Sequence, residues 1–381
     1  MYPCSDRAGG AGKQRKRSMA SCVLFLLFFL KAGADFAFAA GGSATPSAAD
    51  GAPGDVFGRS VSVFGDTAVA GAYGDDENGE SAGAAIVFVR DGSGNWQQQA
   101  KLIAADGASA DRFGYSVSLF GDTAVIGAYW DDDNGRESGS AYVFVRDDSG
   151  SWKQQAKLTA SDGAANDRFG SAVSVFGDTV VIGAYYDDDK GKESGSAYVF
   201  VRGASGRWRQ QAKLTAADGG MNDWFGRAVS ISGDSALIGA KGARNTGSAY
   251  VFVRDRAGRW REQTKLTAAD GRPGDDFGCS VSLFWDTAVI GACNDDDKGT
   301  DSGSAYVFVG DGQGNWAKQA KLTASDGGSG DRFGFSVSVF ADTAAIGTDK
   351  GAVGVVYVFV RDESGIWREQ EKLAADGGVG K

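Results

Sequence analysis

The sequence predicts an all-β chain: a single six-bladed β-propeller of four-stranded antiparallel blades. Two observations carry that reading. A Phe-Gly pair recurs at Phe57, Phe113, Phe169, Phe225, Phe277 and Phe333, with spacings of 56, 56, 56, 52 and 56 residues. Each unit also divides into four short runs of strand character separated by turn residues. A repeat period above about 40 with strand-rich content is that of radially packed blades.

Before the repeats stands a leader. Lys13, Arg15, Lys16 and Arg17 precede an apolar run from Ala20 to Leu30, followed by Ala37 and Ala39 in an A-x-A arrangement. Residues 1–39 therefore read as a signal peptide, and the run is about half the ~20 residues that a membrane span needs. Residues 40–54 form an N-terminal segment and connector, and 55–381 the propeller, with units starting near 55, 111, 167, 223, 275 and 331. No later stretch is long and apolar enough to span a membrane, so the mature chain is expected to be secreted or to stand at the cell surface.

Within the second unit, "YSVSLF" (115–120) is the first strand and "FGDT" a tight hairpin turn. "TAVIGA" (123–128) is the second strand. A longer acidic connection leads to "SAYVFVR" (140–146), apolar nearly throughout, as a strand buried on both faces should be. The fourth strand, "WKQQAKL" (152–158), alternates polar and apolar residues. Its lysine recurs in every unit (101, 157, 213, 265, 321, 372), which suits an outer edge guarded by charge. Its tryptophan also recurs and is expected to pack between blades. Units run from strand one to strand four, so closure of the ring would rest on side-chain packing between the first and last blades.

Composition removes whole classes of chemistry. The chain has no His, which excludes His-based triads and His metal sites. Its net charge is −10. Taking the six basic and two acidic residues of 1–39 from totals of 39 and 49 leaves 33 and 47, a net −14. Nucleic acid, which needs a basic face, is not expected as a partner. Cys279 and Cys293 lie on the two arms of one hairpin, where either a cross-strand disulfide or two buried thiols fits.

The Phe-Gly and Gly-Ala pairs at fixed distance resemble the FG-GAP repeat, the blade unit of the integrin α-subunit propeller, over residues 47–381. The resemblance implies the propeller and an extracellular binding or adhesion role. Integrin-like repeats often carry a calcium loop between strands one and two. Here that connection is only "FGDT", too short for an ion needing six to eight oxygens, so those sites do not carry over.

Antiparallel strands put the 2–3 and 4–1 connections on one side of the disc. The 4–1 connections share a D-G-x-x-x-D pattern in all six units and read as architecture, the second Asp capping backbone N–H groups. The 2–3 connections differ between units. In the first three, acids follow aromatics: Tyr73 with Asp75 and Asp76; Tyr129 and Trp130 with Asp131; Tyr185 and Tyr186 with Asp187. These are the candidate ligand-binding residues, suited to an extracellular protein or a glycan. The triplets Asp131, Asp132, Asp133; Asp187, Asp188, Asp189; and Asp295, Asp296, Asp297 are candidate metal ligands, with calcium the cation in view, although adjacent side chains diverge. The functions weighed are a secreted binding module acting through this face, a polysaccharide hydrolase or lyase using paired carboxylates, and a purely structural surface protein.

Overall fold

A computed structural model describes residues 51–374 apart from Pro53 and residues 350–353. The leader and nearly all of the segment 40–54 lie outside the described residues. The rest forms six four-stranded antiparallel sheets, each in simple 1-2-3-4 order, arranged as a propeller. In the second blade the strands are Phe113–Phe120, Thr123–Ala128, Ser140–Arg146 and Trp152–Leu158. The first strand begins at the Phe-Gly pair, two residues before the sequence pattern placed it.

The alternation of residue types explains the packing. Second and third strands are apolar on both faces and largely buried: Thr123–Ala128 throughout, and Ser140–Arg146 over its first five residues. Each Phe of the Phe-Gly pair in blades two to six is buried, and Phe113 meets Tyr142 and Phe144 of its own blade edge-on. Burying one such ring contributes roughly 1.5–3 kcal/mol. Apolar clusters join blade one to two, two to three, three to four, four to five and five to six.

Polar bridges repeat at the same interfaces. First strands run beside first strands, and serine hydroxyls accept backbone N–H groups across them: Ser62 from Leu119, Ser118 from Val175, Ser282 from Val339. At the periphery the expected inter-blade tryptophans donate to a glutamine of the preceding blade, as Trp152 Nε1 does to Gln99 at 2.9 Å. Arg146, stacked on Trp152, reaches back to Thr67 of the first blade.

The sixth interface differs from the other five. Among the described residues no apolar cluster joins blade six to blade one; the cluster on that side of blade one groups Ala68, Ala70, Ile86 and Phe88, all buried, with Phe57, Val63 and Trp96 packed against them. Val61, Phe64 and Phe340 are exposed. A Cβ at Gly114 would collide with the Ala84 carbonyl of the preceding blade, and Gly170, Gly226, Gly278 and Gly334 are confined in the same way, whereas Gly58 has open space. The expected closure by packing of the end blades is therefore not formed among the described residues. Five interfaces built alike turn the chain through a common angle.

On the side of the 1–2 turns, an aromatic row follows the inner strands: Phe64, Phe120 and Phe176 stack at centroid spacings of 4.7 Å. Blade four has Ser232 at this place. Trp285 of blade five, standing where other units have Gly or Ala, leans over Gly233 and meets Phe176 at 6.1 Å.

Candidate functional site

The acidic connections resolve into two structural devices. The second Asp of the 4–1 pattern accepts a backbone N–H three residues earlier: Asp111 from Ala108, Asp167 from Ala164, Asp275 from Arg272, each at 2.7 Å. Burial is the largest influence on Asp111 and Asp167 and pushes both carboxyls up to about 6. The first Asp of the pattern pairs with the fourth-strand lysine of the next blade, as Asp106 does with Lys157 at 2.8 Å. These lysines are thus half-buried clasps rather than solvent-facing guards of an edge.

The triplets converge on the same lysines. Asp131 is buried; one oxygen accepts from the Ser140 hydroxyl, the other from the Tyr142 hydroxyl and from Lys157 Nζ. Asp132 turns outward and accepts the Glu137 N–H, while Asp133 returns to Lys157. Asp187, Asp188 and Asp189 do the same around Lys213, and Asp295, Asp296 and Asp297 around Lys321. In blade one, Asp75 pairs with Lys101 and Asp76 accepts the Ser81 N–H. Burial alone would lower the Lys157 ammonium's pKa, but three carboxylates outweigh it and hold it above the usual range. The described residues contain no group of three or more acidic or cysteine side chains arranged to hold a metal ion; a lysine ammonium occupies the centre of each carboxylate set.

The aromatic residues lie close together and the sector extends further, but Asp75, Asp131 and Asp187, expected beside them, are drawn into the lysine clasps instead. Tyr73, Tyr129, Trp130, Tyr185 and Tyr186 form a near-continuous run completed by Tyr115 and Trp224. Tyr115 lies 5.6 Å from Tyr73 and 4.1 Å from Tyr129, Tyr185 4.4 Å from Tyr186, and Tyr186 6.5 Å from Trp224. Interleaved with the rings are guanidiniums. Arg59 donates to the Tyr115 hydroxyl at 3.0 Å; Arg112 donates to Tyr129 and lies 3.4 Å over Trp130; Arg168 donates to Tyr185; Arg227 lies 5.5 Å from the Tyr185 ring. Burial raises the Tyr115 phenol, yet Arg227, Arg59 and Arg112 together bring it below its ordinary value. Tyr129 is pushed up to about 12, chiefly by burial. The Trp130 indole N–H is buried with no acceptor among the described residues.

The local fold aims these side chains. The residue before each Phe-Gly pair has positive φ, 57° at Arg112 and 58° at Arg168, and in blades two to six the residue after the pair donates its N–H back to it, as Tyr115 does to Arg112. A register shift in the first hairpin accompanies this bend, between Phe113 and Ser116 in blade two. A bulge of this kind re-aims side chains. Both bulge positions vary between units: Val56, Arg112, Arg168, Trp224, Asp276, Arg332 before the pair, and Arg59, Tyr115, Ser171, Arg227, Cys279, Phe335 after it. Sequence reasoning missed these residues. Their variability inside an otherwise repeated phrase was the signal available.

Cys279 and Cys293 occupy the same place in blade five as free thiols, Cys293 buried. Its hydrogen bond with Cys279, and then burial, raise the Cys293 thiol well above the usual range.

An FG-GAP repeat model matches residues 44–88, 96–144, 152–200, 208–252, 260–308 and 316–359. No curated protein sequence matches the chain. Among solved structures, a periplasmic gluconolactonase from Pseudomonas aeruginosa is similar at a TM-score of 0.55 and 16% identity, over 83% of this chain and 86% of that one. A protein from Lactobacillus plantarum is similar at 0.53 and 13% identity, over 83% and 84%. At such identities the likeness speaks for the fold alone.

Proposed function

The chain belongs to the FG-GAP repeat family, and from that premise we propose that it is an exported binding module that recognises a glycan through the face of the 2–3 and 4–1 connections. The observation that carries this reading is the run of rings from Tyr73 to Trp224 across four neighbouring blades. Rings with a polar tip beside charged groups provide stacking surface and hydrogen bonds together, which a saccharide uses. The scaffold beneath repeats with little change, while this face varies from blade to blade. Variation concentrated on one side of a rigid frame suits recognition. Export rests on the sequence pattern of residues 1–39 and on the occurrence of such repeats in secreted proteins. Among the described residues no helix is long and apolar enough to cross a membrane.

The test is a glycan panel with residues 40–381, comparing wild type with Trp130→Ala and Tyr186→Ala. We expect a glycan whose affinity falls about fivefold or more in each variant at unchanged thermal stability, stacking being worth about 1 kcal/mol or more per ring. Binding unaffected by both substitutions would place recognition elsewhere. Capture of a protein partner with no glycan bound would replace the ligand class.

A further inference from the structure

Resting on that reading of the face, we propose that its ligand is an acidic saccharide, a chain bearing carboxylates or sulfate esters, held by Arg59, Arg112 and Arg227 beside Trp130. Their place sets these three side chains apart: other cations, such as Arg207, Arg256 and Arg272, also lack an ion pair among the described residues, but Arg59, Arg112 and Arg227 lie on the rings of the aromatic run. The arginine ending the third strand pairs with an aspartate of the 1–2 turn: Arg146 with Asp122, Arg202 with Asp178, Arg254 with Asp234, Arg361 with Asp342. The fourth-strand lysines are paired as well. Among the described residues Arg59, Arg112 and Arg227 make no ion pair, although the chain carries ten more acidic than basic groups. They contact tyrosine and tryptophan rings instead.

Stacking on ring faces offsets part of the cost of gathering like charges. It also leaves guanidinium N–H groups unbonded to any carboxylate of the described residues, in the planar fork that matches a carboxylate or sulfate. The depressed phenol of Tyr115 reports the same excess of positive potential. The buried Trp130 N–H is a second donor lacking an acceptor, directly beneath the Arg112 guanidinium. The three arginines come from blades one, two and four, so they fit several anionic groups spaced along a chain better than one small ion. A cationic ligand would meet repulsion here, and the surrounding acidic connections disfavour the dense charge of nucleic acid.

The experiment is calorimetric titration of residues 40–381 with three probes of about six sugar units: an oligouronate, its carboxyl-reduced neutral counterpart, and a sulfated oligosaccharide. At least one charged probe should bind about tenfold or more tighter than the neutral one, and more weakly as salt rises. Arg59→Gln and Arg227→Gln should each weaken it about fivefold or more. Arg146→Gln, on the opposite side of the disc, should leave binding unchanged. Equal binding of the neutral probe, indifference to the Arg59 and Arg227 substitutions, binding of acidic peptides alone, or no binding of either charged probe would overturn the proposal. If a neutral glycan binds and Trp130→Ala abolishes it, the broader reading of this face stands and only the anionic ligand falls.

Discussion

Lys157 Nζ lies 2.8 Å from Asp131 Oδ2, and that carboxylate also accepts the Tyr142 hydroxyl at 2.8 Å. A strand-four cation, a strand-three phenol and a 2–3 connection are thereby tied together at one buried oxygen, with Asp106 of the 4–1 connection on the same ammonium. The arrangement recurs at Lys213 and Lys321. Consecutive aspartates here are a clasp that fixes two connections to their blade.

Removing one member should be costly, because it strands a charge in a nearly closed site. Lys157→Met is expected to lower unfolding stability by about 3 kcal/mol. Adding Asp131→Asn to it should restore part of the loss. Urea unfolding of the two variants measures this. A single substitution that costs under about 1 kcal/mol would mean that the clasp is open in solution.

The same geometry predicts the response to calcium. The ammonium already sits where a cation would gather Asp131 and Asp133. Calcium at about 1 mM should therefore leave the midpoint of thermal unfolding unchanged. Binding at a hundredfold below that concentration would add about 2.7 kcal/mol, a rise visible in any melting curve. Such a rise would show that the lysines yield to the metal.

Asp111 and Asp167 make a prediction of opposite sign to acid denaturation. Their folded carboxyls titrate near 6, above the ordinary 3.8. Between those values the folded state binds more protons than the unfolded one, so their contribution to stability is complete below about pH 4 and is lost as pH rises through 6. Asn in place of either Asp keeps an acceptor for the backbone N–H and cannot ionise. Asp111→Asn should thus gain up to about 3 kcal/mol over the parent at pH 7 and nothing at pH 4. Parallel stability curves for the two proteins across that interval would refute the burial argument. The first Asp of each pattern behaves conversely: Asp106 and Asp162, held low by lysine against the pull of burial, lend stability that disappears as pH falls below about 4.

Most of the frame was legible because repetition multiplies weak signals. One unit's alternation leaves helix and strand open at short runs; six copies in register settle it, and the predicted second, third and fourth strands of blade two coincide with those observed. The aromatic sector was legible because its residues depart from the shared phrase. Arg59, Arg112, Tyr115 and Arg227 were not, since strand alternation places them as ordinary members of a first strand. Only the positive φ at Arg112, and the bulge after it, take such positions out of the strand's alternation. The role of Lys157 was hidden for a related reason. A period of two puts it on the polar face of an outer strand, and nothing in the sequence says that two acidic connections fold back over it.

The two end blades, which no apolar cluster joins among the described residues, give the sharpest comparison. Gly58 and Gly114 are equivalent positions with nearly equal backbone angles, φ of 84° and 91°. An alanine at either pays the cost of a left-handed conformation, roughly 1–2 kcal/mol. At Gly114 the new methyl also meets the Ala84 carbonyl of the preceding blade, and backbone cannot give way cheaply. At Gly58 nothing lies within reach. Gly114→Ala should therefore cost about 2 kcal/mol more than Gly58→Ala, read from chemical unfolding of both variants. Equal costs would mean that blade six packs against blade one in solution as the others pack against their neighbours. The ring would then be closed by the same packing at all six interfaces.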